Sequence, residues 1–393
     1  MRPTIFEKDG TFWYETLRAF SHIAYGGADF GEVLSTVQRI AEGDYDSWHD
    51  EWLATADRIA AEAGHALARG HRVSARDGFL RAANYYRCAG FFPGTESAHP
   101  ASVACFRTAI SLWPTEIVPV EIPYEGTTLP GYFYRAGDGV RPTVVVHNGF
   151  DGTAEEMHFV AAAALVERGY HVLSFDGPGQ PGPLHREGLV FRPDWEHVVT
   201  PVLDHLVERP EVDDERIALL GNSLGGLLAP RAAAFEPRIK ALVALDGVYD
   251  MGAAIAGRFG GDRVLAKAML TQPVAPELDE ALDSLMADDP SMRWAFRHGM
   301  RVMGVATPRH FAAALLDYHL RDGIAERVAC PTLVCAADDD FAFLGQPEEL
   351  HEHLTCPKTF LRFTAEEGAD AHCQAGAQRL AMARIGDWLA ETL

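Results

Sequence analysis

The chain has 393 residues, of which 48% are hydrophobic and 23% are charged, and this composition predicts a globular protein of one large domain or two. Its formal net charge of −22 disfavours binding to nucleic acid or to an anionic membrane surface, because both would repel it. The sequence shows no secretory signal, no CxxC pair and no apolar stretch near the roughly 20 residues that cross a bilayer. We therefore expect a cytoplasmic protein with reduced thiols. Its expected partner is a small organic molecule.

The first part of the chain, residues 1–115, is predicted to be an N-terminal helical domain. Apolar residues recur three and four positions apart there, and no convincing strand occurs. In "DSWHDEWLATADRIAAEAGHALARG" they fall on one helical face, with Asp46 as the expected N-cap and Gly70 as the stop. This apolar face needs another surface to pack on.

From residue 116 onward, short β-branched runs alternate with helical segments. The runs "EIVPVEIPYEG" and "LPGYFYRAG" predict an antiparallel hairpin, and later runs such as "PTVVVHNGF", "GYHVLSFDGPG" and "RIALLGNS" predict strands of a parallel sheet. Unbroken apolar strands separated by helices are typical of a sheet covered on both faces. The predicted fold class is therefore α/β, with a mostly parallel central sheet in a catalytic domain at 116–393.

A long insertion is predicted between two of these strands. The interval from Asp246 to Cys330 far exceeds the usual connection of about 2–6 residues plus one helix, so we expect a helical cap at about 250–326. Its adaptable apolar side chains form either the core of the cap or the lining of a hydrophobic substrate cavity. They are Met286, Met292, Met300, Met303, Trp294, Phe296 and Phe311.

Ser223 is the predicted nucleophile. It lies in "GNSLGG", between an apolar strand pattern and a helical one. A G-x-S-x-G turn at such a place exposes the hydroxyl at the end of the strand, while Gly221 and Gly225 keep side chains out of the crowded turn. The following helix offers N–H groups and the positive end of its dipole.

A serine hydroxyl attacks well only when a base takes its proton and an acid orients that base. In sheets of this type the acid follows a later strand and the histidine follows the last one. We choose Asp340, the third residue after Ala337 at the strand end, and expect Asp338 and Asp339 to be solvent-facing or capping residues. The expected base is His372, in the loop before the C-terminal helix.

The oxyanion of a tetrahedral intermediate requires hydrogen-bond donors. One expected donor is the N–H of Leu224, directly after the nucleophile. The turn "HNGFDG" after an early strand supplies Gly149 and Phe150. We expect the second donor to be the N–H of Phe150, with Gly149 beside the substrate pocket. His147 precedes this turn and is expected to form a structural hydrogen bond.

The glycine-rich segment "SFDGPGQPGPLH" raises the question of a phosphate site. It matches neither G-x-G-x-x-G nor G-x-x-x-x-G-K-[ST], and its prolines remove N–H donors. We expect it to form a rigid rim of the active site. The sequence contains no H-x-x-x-H, H-E-x-x-H or paired C-x-x-C pattern, so neither a metal nor a cofactor is expected.

Five segments together resemble the α/β-hydrolase superfamily: "HNGFDGTAEEM", "FDGPGQ", "GNSLGG", "DDDFAFLGQPEEL" and "CPKTFLRFTAEEGADAHCQAGA". The resemblance covers nearly the whole chain. It is strongest to a subgroup with an N-terminal helical domain that includes 2,6-dihydroxypseudooxynicotine hydrolase, the fungal heptaketide hydrolase and the fermentation-respiration switch protein. It implies an α/β-hydrolase fold, a triad of Ser223, Asp340 and His372 with the oxyanion turn at Phe150, and, as in two members, cleavage of a carbon–carbon bond next to a ketone.

Further residues are candidates for the substrate pocket. The resemblance implies an extra acidic residue that assists bond cleavage, and Asp246 and Asp250 are the nearest candidates. Tyr85, Tyr86 and Arg87 reach the pocket if the helical domain covers the carboxyl edge of the sheet. Packing within the helical core is the alternative for these three.

The leading functional hypothesis is a serine hydrolase that acts on the ketone or ester carbonyl of a bulky, polyketide-like or aromatic metabolite. A second hypothesis keeps the acyl-enzyme but lets an alcohol or amine of the substrate displace it, which gives cyclisation or acyl transfer. A third is a non-catalytic binding or regulatory protein on a hydrolase scaffold, against which the three triad residue types argue. The exposed helical domain and the resemblance suggest a homodimer.

Overall fold

The computed structural model describes residues 3–92 and 94–393, and one eight-stranded sheet forms its centre. The strands are β1 (Ile117–Tyr124), β2 (Thr127–Tyr134), β3 (Arg141–His147), β4 (His171–Phe175), β5 (Val212–Asn222), β6 (Ala241–Leu245), β7 (Thr332–Ala337) and β8 (Lys358–Phe363). They lie in the order β1-β2-β4-β3-β5-β6-β7-β8. β1 pairs with β2, and β2 with β4, in antiparallel fashion, while all other neighbours are parallel. The predicted α/β class is confirmed.

Five helices precede the sheet and pack on one of its faces. They are α1 (Gly10–Ser21), α2 (Phe30–Val37), α3 (Tyr45–Ala68), α4 (Arg72–Ala89) and α5 (His99–Ser111). One continuous hydrophobic core joins Phe12 and Trp48 of these helices to Val144 and Leu220 of the sheet. The apolar face foreseen in the sequence therefore packs within a core that continues into the sheet. The domain boundary at 115 stays a prediction, and it falls between α5 and β1.

Helix α3 begins earlier than expected. Asp44, not Asp46, is its N-cap, because the Asp44 side chain accepts hydrogen bonds of 3.0 Å from the N–H groups of Asp46 and Ser47. The predicted N-cap was therefore wrong by two residues in a stretch that offers two aspartates. The helix ends at Ala68, and Gly70 follows with φ +80°, the left-handed conformation that glycine adopts without strain.

The remaining helices cover the sheet and the insertion. They are α6 (Ala163–Glu167), α7 (Pro181–Glu187), α8 (Glu196–Val207), α9 (Gly225–Ala233), α10 (Ala253–Gly257), α11 (Arg263–Leu270), α12 (Pro276–Asp288), α13 (Pro290–Val302), α14 (Pro308–Leu315), α15 (Gln346–His353) and α16 (Gln378–Thr392). Short 3₁₀ segments lie at His22–Tyr25, Glu96–Ala98, Ala325–Arg327 and His372–Gln374, and a π-helical turn at His158–Ala162. In the part of the chain that the structure describes, no helix is both long and apolar enough to pass through a bilayer.

Helices α10–α14 lie between β6 and β7, where the cap was predicted. Phe296, Met303 and Phe311 are buried in a second core, which they share with α8 and α9 on the other face of the sheet. Met292, by contrast, is 38% exposed. The apolar residues of the cap thus mostly pack against the second core.

Candidate active site

Ser223 lies on a sharp turn between β5 and α9. Its φ of 60° is in the left-handed region, which strains a residue other than glycine. Its N–H donates to the Leu245 carbonyl at 3.0 Å, and its carbonyl accepts from the Gly226 N–H at 2.6 Å. A Cβ on Gly221 would lie 2.0 Å from the Gly225 carbonyl oxygen, so only glycine fits there. The half-buried serine hydroxyl is therefore held at the strand end.

Three side chains from distant parts of the sequence form one hydrogen-bonded line. The Ser223 Oγ lies 2.9 Å from His372 Nε2, and His372 Nδ1 lies 3.0 Å from both carboxylate oxygens of Asp340. Asp340 Oδ1 also accepts from the N–H groups of Ala342 and Phe343 at 2.8 and 3.1 Å. The carboxyl ends of β5, β7 and β8 meet at one edge of the sheet, which explains why these residues come together. This arrangement requires the Nδ1–H tautomer, with Nε2 free to accept the serine proton.

Asp340 and His372 stabilise each other's charged forms. Burial alone would raise the pKa of Asp340, but the imidazole of His372 and the hydrogen bonds to the carboxylate outweigh burial and lower it. Burial alone would lower the pKa of His372, but the neighbouring Asp340 carboxylate raises it well above the ordinary value of 6.5. Asp340 is therefore ionised at neutral pH, and a proton received by the imidazole is stabilised.

Asp246, predicted as a pocket residue, lies against the imidazole. Its Oδ2 is 3.1 Å from His372 Nδ1, and its side chain is fully buried. The same carboxylate accepts hydrogen bonds from the Cys373 N–H and from Gln374 Nε2. Its pKa is raised, first by burial and then by the charge of Asp340. The structure therefore places Asp246 beside the histidine, and donors of the His372–Gln374 turn form hydrogen bonds to both of its carboxylate oxygens.

The predicted oxyanion turn lies directly against the nucleophile turn. A Cβ on Gly149 would meet the Leu224 nitrogen at 2.5 Å, the Asn222 carbonyl oxygen at 2.7 Å and the Ser223 Cβ at 3.0 Å. Only glycine allows this approach, which brings the backbone before Phe150 next to the Leu224 N–H. The turn that carries Gly149 and Phe150 therefore lies against the turn that carries Ser223 and Leu224.

Two buried amide side chains hold the oxyanion turn. Asn148 Oδ1 accepts from the Gly149 N–H at 2.8 Å and from Asn222 Nδ2 at 3.0 Å. Gln180 Nε2 donates to the Asn148 and Gly149 carbonyls at 2.6 and 3.2 Å, and its Oε1 accepts from the Gly177 N–H. Gln180 belongs to the glycine-rich segment expected to form a rim. That segment therefore fixes the position of the turn through a buried side chain.

A buried ion cluster connects the turn to helix α1. Glu156 accepts from Asn148 Nδ2 at 3.0 Å and from the Arg18 guanidinium at 2.7 and 2.6 Å. Arg18 also donates to Glu15 and to Asp151. Burial would raise the pKa of Glu156, but the charges of Arg18 and its neighbours lower it to about 2. The N-terminal helices thus support the predicted oxyanion turn through a buried cluster in which Glu156 is ionised.

The cap also contacts this turn. His298 of α13 lies with Nε2 2.9 Å from the Phe150 carbonyl oxygen, and burial lowers the pKa of His298, so the neutral ring donates this bond. The Phe150 ring lies 4.9 Å from the His298 ring and 6.1–6.2 Å from those of Trp294 and Phe311. Phe191 stacks at 6.4 Å. An aromatic cluster therefore borders the predicted oxyanion turn.

Two family models match the chain. The model described as "Esterase FrsA-like" matches residues 1–256, and the model "Alpha/beta hydrolase family" matches residues 144–383. The chain belongs to the α/β-hydrolase family. The resemblance inferred from the sequence is thereby confirmed, and the matches cover both the helical layer and the sheet.

Relatives of this hydrolase span nearly its whole length. Hydrolase LUC6 of Fusarium sp is 34% identical over 415 residues, which cover 97% of this chain and 96% of the relative. The 20-hydroxy-prefusarin hydrolase FUS2 of Gibberella moniliformis is 35% identical over 405 residues, with coverage of 97% and 96%. Among solved structures, 2,6-dihydroxy-pseudo-oxynicotine hydrolase aligns with a TM-score of 0.73 at 23% identity and covers 95% of both chains, which shows a shared fold.

Two predicted pocket residues of the hydrolase lie in the helical core. The Tyr85 hydroxyl donates to Glu32 at 2.7 Å and accepts from the Asp29 N–H. The Tyr86 hydroxyl donates to Asp57 at 2.5 Å. Because both hydroxyls are bonded to carboxylates of the N-terminal helices, these tyrosines follow the alternative of core packing, and the pocket assignment is corrected.

Arg87 follows the same alternative. Its Nη1 donates to the Glu15 carboxylate at 3.1 Å, and its Nε lies 3.6 Å from Glu156. Arg87 is thus part of the ion cluster behind the oxyanion turn and is not free to meet a substrate.

Asp250 is engaged by the cap and not by the catalytic line. Its oxygens lie 3.0 and 2.7 Å from Arg263 Nη1, and Arg321 lies at 3.5 Å. Its Oδ1 also accepts from the Gly252 N–H. Two arginines neutralise this buried carboxylate, so its assignment as an acid for bond cleavage is corrected to that of an ion-paired anchor of the cap.

The remaining predicted residues have clear partners. His147 is buried between Phe175 and Trp195, and its Nδ1–H donates to the Asn148 carbonyl at 2.9 Å. Asp338 accepts from Arg362, and the Asp339 N–H donates to the Asp370 carbonyl. Of the three consecutive aspartates, Asp340 is the one whose carboxylate meets His372.

One set of potential metal donors occurs among the described residues. Asp246, His372 and Cys373 are buried and place donor atoms within 4.8 Å of one another. Asp246 and His372 already contact each other, and His372 also bonds to Ser223 and Asp340. The expectation of a metal-free and cofactor-free enzyme stays a prediction.

The sequence reasoning missed Asn148, Gln180, Glu156 and His298. The first three lie in the segments that carried the family resemblance, and a polar residue next to a buried strand was the available signal for Asn148. Nothing in its sequence neighbourhood marked His298, because its function depends on how the cap lies over the turn.

Proposed function

We propose that this α/β-hydrolase is a serine hydrolase with Ser223 as nucleophile, His372 as general acid and base, and Asp340 as the acid that orients the imidazole. The observation that carries the proposal is the continuous line from Oγ through both ring nitrogens to the carboxylate, at 2.9 and 3.0 Å. These are the distances at which a proton passes between hydrogen-bonded groups.

The first half-reaction forms an acyl-enzyme. As Ser223 Oγ bonds to the carbonyl carbon, its proton passes to His372 Nε2, and Asp340 stabilises the imidazolium. The N–H groups of Phe150 and Leu224 hold the oxyanion of the tetrahedral intermediate. When the intermediate collapses, the bond to the leaving group breaks, and Nε2–H gives that group its proton.

The second half-reaction consumes one water molecule. His372 Nε2 takes a proton from the water as its oxygen attacks the acyl carbon, and a second oxyanion forms in the same position. Collapse breaks the bond to Oγ, returns the proton to Ser223 and releases a carboxylic acid. Overall, one carbonyl–leaving group bond is exchanged for one carbonyl–hydroxyl bond, with no redox change.

The leaving group decides what His372 must protonate. An ester releases an alkoxide, whereas a carbon–carbon bond next to a ketone releases a carbanion stabilised as an enolate. The second reaction therefore needs an electron-withdrawing neighbour on the substrate. We propose a ketone or ester of this kind as the reacting group.

The substrate proposed is a bulky aromatic or polyketide-like metabolite. The aromatic cluster of Phe150, Phe191, Trp294 and Phe311 supports an apolar, ring-containing ligand, since such rings bind apolar surface with preferred stacking geometry. The names of two similar proteins, 20-hydroxy-prefusarin hydrolase and 2,6-dihydroxy-pseudo-oxynicotine hydrolase, also point to bulky ring-containing or polyketide-derived compounds.

A substrate panel tests this function. Esters, β-diketones and aryl ketones are incubated with the wild type, with Ser223→Ala and with Ser102→Ala, a control that removes a buried hydroxyl bonded within the helical layer. We expect turnover by the wild type and the control, and none by Ser223→Ala. Turnover that survives in Ser223→Ala would contradict the proposal.

Labelled water separates hydrolysis from the cyclase or acyltransferase alternative. Hydrolysis places one oxygen of the solvent in the acid product, whereas cyclisation or acyl transfer gives a product without it.

We also keep a homodimer and a cytoplasmic location as predictions. Size-exclusion chromatography with light scattering tests the homodimer.

A further inference from the structure

We propose that Asp246 is a second positioning carboxylate for His372, which orients the imidazole together with Asp340 and takes over part of its role when Asp340 is lost. The inference rests on the proposed function of His372 as the base. It adds a residue from the strand before the one that carries Asp340.

The geometry places both carboxylates at one ring nitrogen. Asp246 Oδ2 lies 3.1 Å from His372 Nδ1, nearly as close as the 3.0 Å of the Asp340 oxygens. Asp246 follows β6 and Asp340 follows β7, so they approach Nδ1 from adjacent strands. The Nδ1–H bonds to Asp340, and Asp246 Oδ2 lies at ion-pair distance from the same nitrogen, so a rotation of the ring would aim this donor at Asp246.

The backbone of Asp246 is arranged to hold this position. Its φ of 60° is strained for a residue other than glycine, and such strain persists only where surrounding contacts over-determine it. Those contacts are the bonds of the carboxylate to the Cys373 N–H and to Gln374 Nε2 at 2.8 Å. Cys373 and Gln374 also have positive φ angles, 52° and 51°. The carboxylate thus stabilises the unusual turn that carries the histidine.

The charges of the two carboxylates depend on each other. Burial and the negative charge of Asp340 both raise the pKa of Asp246, so in the resting enzyme Asp340 carries the charge more readily. Replacing Asp340 by Asn removes this repulsion and lowers the pKa of Asp246. Asp246 then remains as the carboxylate that supplies negative charge at the same ring nitrogen.

The other ionisable groups near the pair leave this argument intact. The Tyr14 ring lies 5.8 Å from the imidazole, and burial raises the pKa of Tyr14 well above its ordinary value, so it is neutral. Burial also raises the pKa values of Cys373, to about 12, and of Cys335 on β7, so both are thiols. Asp246 and Asp340 are therefore the two groups that supply negative charge to His372.

A purely structural role for Asp246 predicts something different. If it only holds the Cys373 turn, Asp246→Asn keeps an oxygen for that N–H and should leave the imidazole unchanged. If it also positions His372 by its charge, the same substitution lowers the pKa of the imidazole. Each carboxylate raises that pKa, so removal of either shifts it downward.

The experiment measures the rate at which a fluorophosphonate labels Ser223 in six proteins. These are the wild type, Asp340→Asn, Asp246→Asn, the double variant, His372→Ala, and Asp338→Asn as a control whose carboxylate binds Arg362 instead. The imidazole pKa of His372 is measured in parallel by NMR titration. Circular dichroism verifies that each variant is folded.

We expect Asp340→Asn to lose about 10- to 100-fold in labelling rate. The double variant should fall to the level of His372→Ala, roughly 10⁴-fold below the wild type, which is the loss typical of a triad without its acid. The imidazole pKa should fall in each single variant and fall further in the double variant. The control should match the wild type.

Two results would overturn the inference: Asp340→Asn already as slow as the double variant, or an imidazole pKa that Asp246→Asn leaves unchanged. Failure of the proposed function looks different, because the wild type would then not be labelled at Ser223. The NMR titration would still decide the role of Asp246 in that case.

Discussion

His298 Nε2, in the cap, donates a 2.9 Å hydrogen bond to the carbonyl oxygen of Phe150, whose own N–H is the proposed oxyanion donor. The two residues are 148 positions apart in the sequence. A bond to the carbonyl of a residue restricts its backbone, so we expect the cap to help orient the N–H that is proposed to stabilise the transition state. The position of the cap and the geometry of the proposed oxyanion site are therefore predicted to be coupled.

Replacement of His298 is predicted to impair the chemical step. His298→Ala removes the donor and should lower kcat by about 10- to 100-fold, less than the roughly 10²–10³-fold lost when an oxyanion donor itself is removed, because the Phe150 N–H stays present. His298→Gln can donate to the same carbonyl and should recover much of the loss. His310→Ala is the matched control, because the His310 ring bonds to Thr307, the N-cap of its own helix. Equal activity of the Ala and Gln variants of His298 would argue against the coupling.

Gly149→Ala is predicted to inactivate the enzyme without unfolding it. The new Cβ would lie 2.5 Å from the Leu224 nitrogen and 2.7 Å from the Asn222 carbonyl, both backbone atoms that cannot move without displacing Ser223. We expect a loss of about 100-fold or more in kcat. Gly64→Ala serves as control, since its Cβ meets nothing within 4 Å. Near-normal kcat in Gly149→Ala would show that the turns are not in contact during catalysis.

Glu156→Gln is predicted to destabilise the protein in a pH-dependent manner. It leaves the buried Arg18 without its carboxylate and should cost roughly 3–5 kcal/mol at neutral pH. The pKa of Glu156 is lowered to about 2 from an ordinary 4.5, so its stabilisation is fully present above 4.5 and is lost as the pH falls towards 2. Denaturant titrations of both proteins should therefore converge as the pH falls below 4.5. A difference that does not depend on pH would contradict the ionised state of Glu156.

The pH profile of activity should have its acid limb at a high pH. His372 must be neutral to accept the proton from Ser223, and its pKa is raised by Asp340 above the ordinary value of 6.5. Activity should therefore fall as the pH drops through a value above 6.5, and the limb should move to lower pH in Asp340→Asn. The measurement is kcat/KM against pH, and a limb below 6.5 in the wild type would contradict the assignment.

Strand ends were the most informative positions in the sequence. Ser223, Asp340 and His372 each follow a strand, and parallel strands deliver such residues to one edge, so their proximity could be foreseen from the order of elements. The glycine at 149 was recognisable for the same reason. The fold class and the candidate triad could therefore be predicted from patterns within short segments of the sequence.

What could not be foreseen depends on side-chain direction and on distant partners. The sequence left Tyr85 either at the pocket or in the helical core, because it does not tell where the hydroxyl ends, and Glu32 binds it. Asp246 was placed at the correct strand end, but its positive φ turns the carboxylate to the histidine. Arg18 and Glu156 are 138 positions apart, and no local pattern connects them.

The central claim is that His372 activates Ser223 for covalent attack. The most direct measurement is peptide mapping by mass spectrometry after reaction of the folded protein with a fluorophosphonate. We predict a single adduct on the peptide that contains Ser223, present in the wild type and absent after Ser223→Ala or His372→Ala. An unmodified Ser223 in the folded wild type, or equal modification in His372→Ala, would contradict the account.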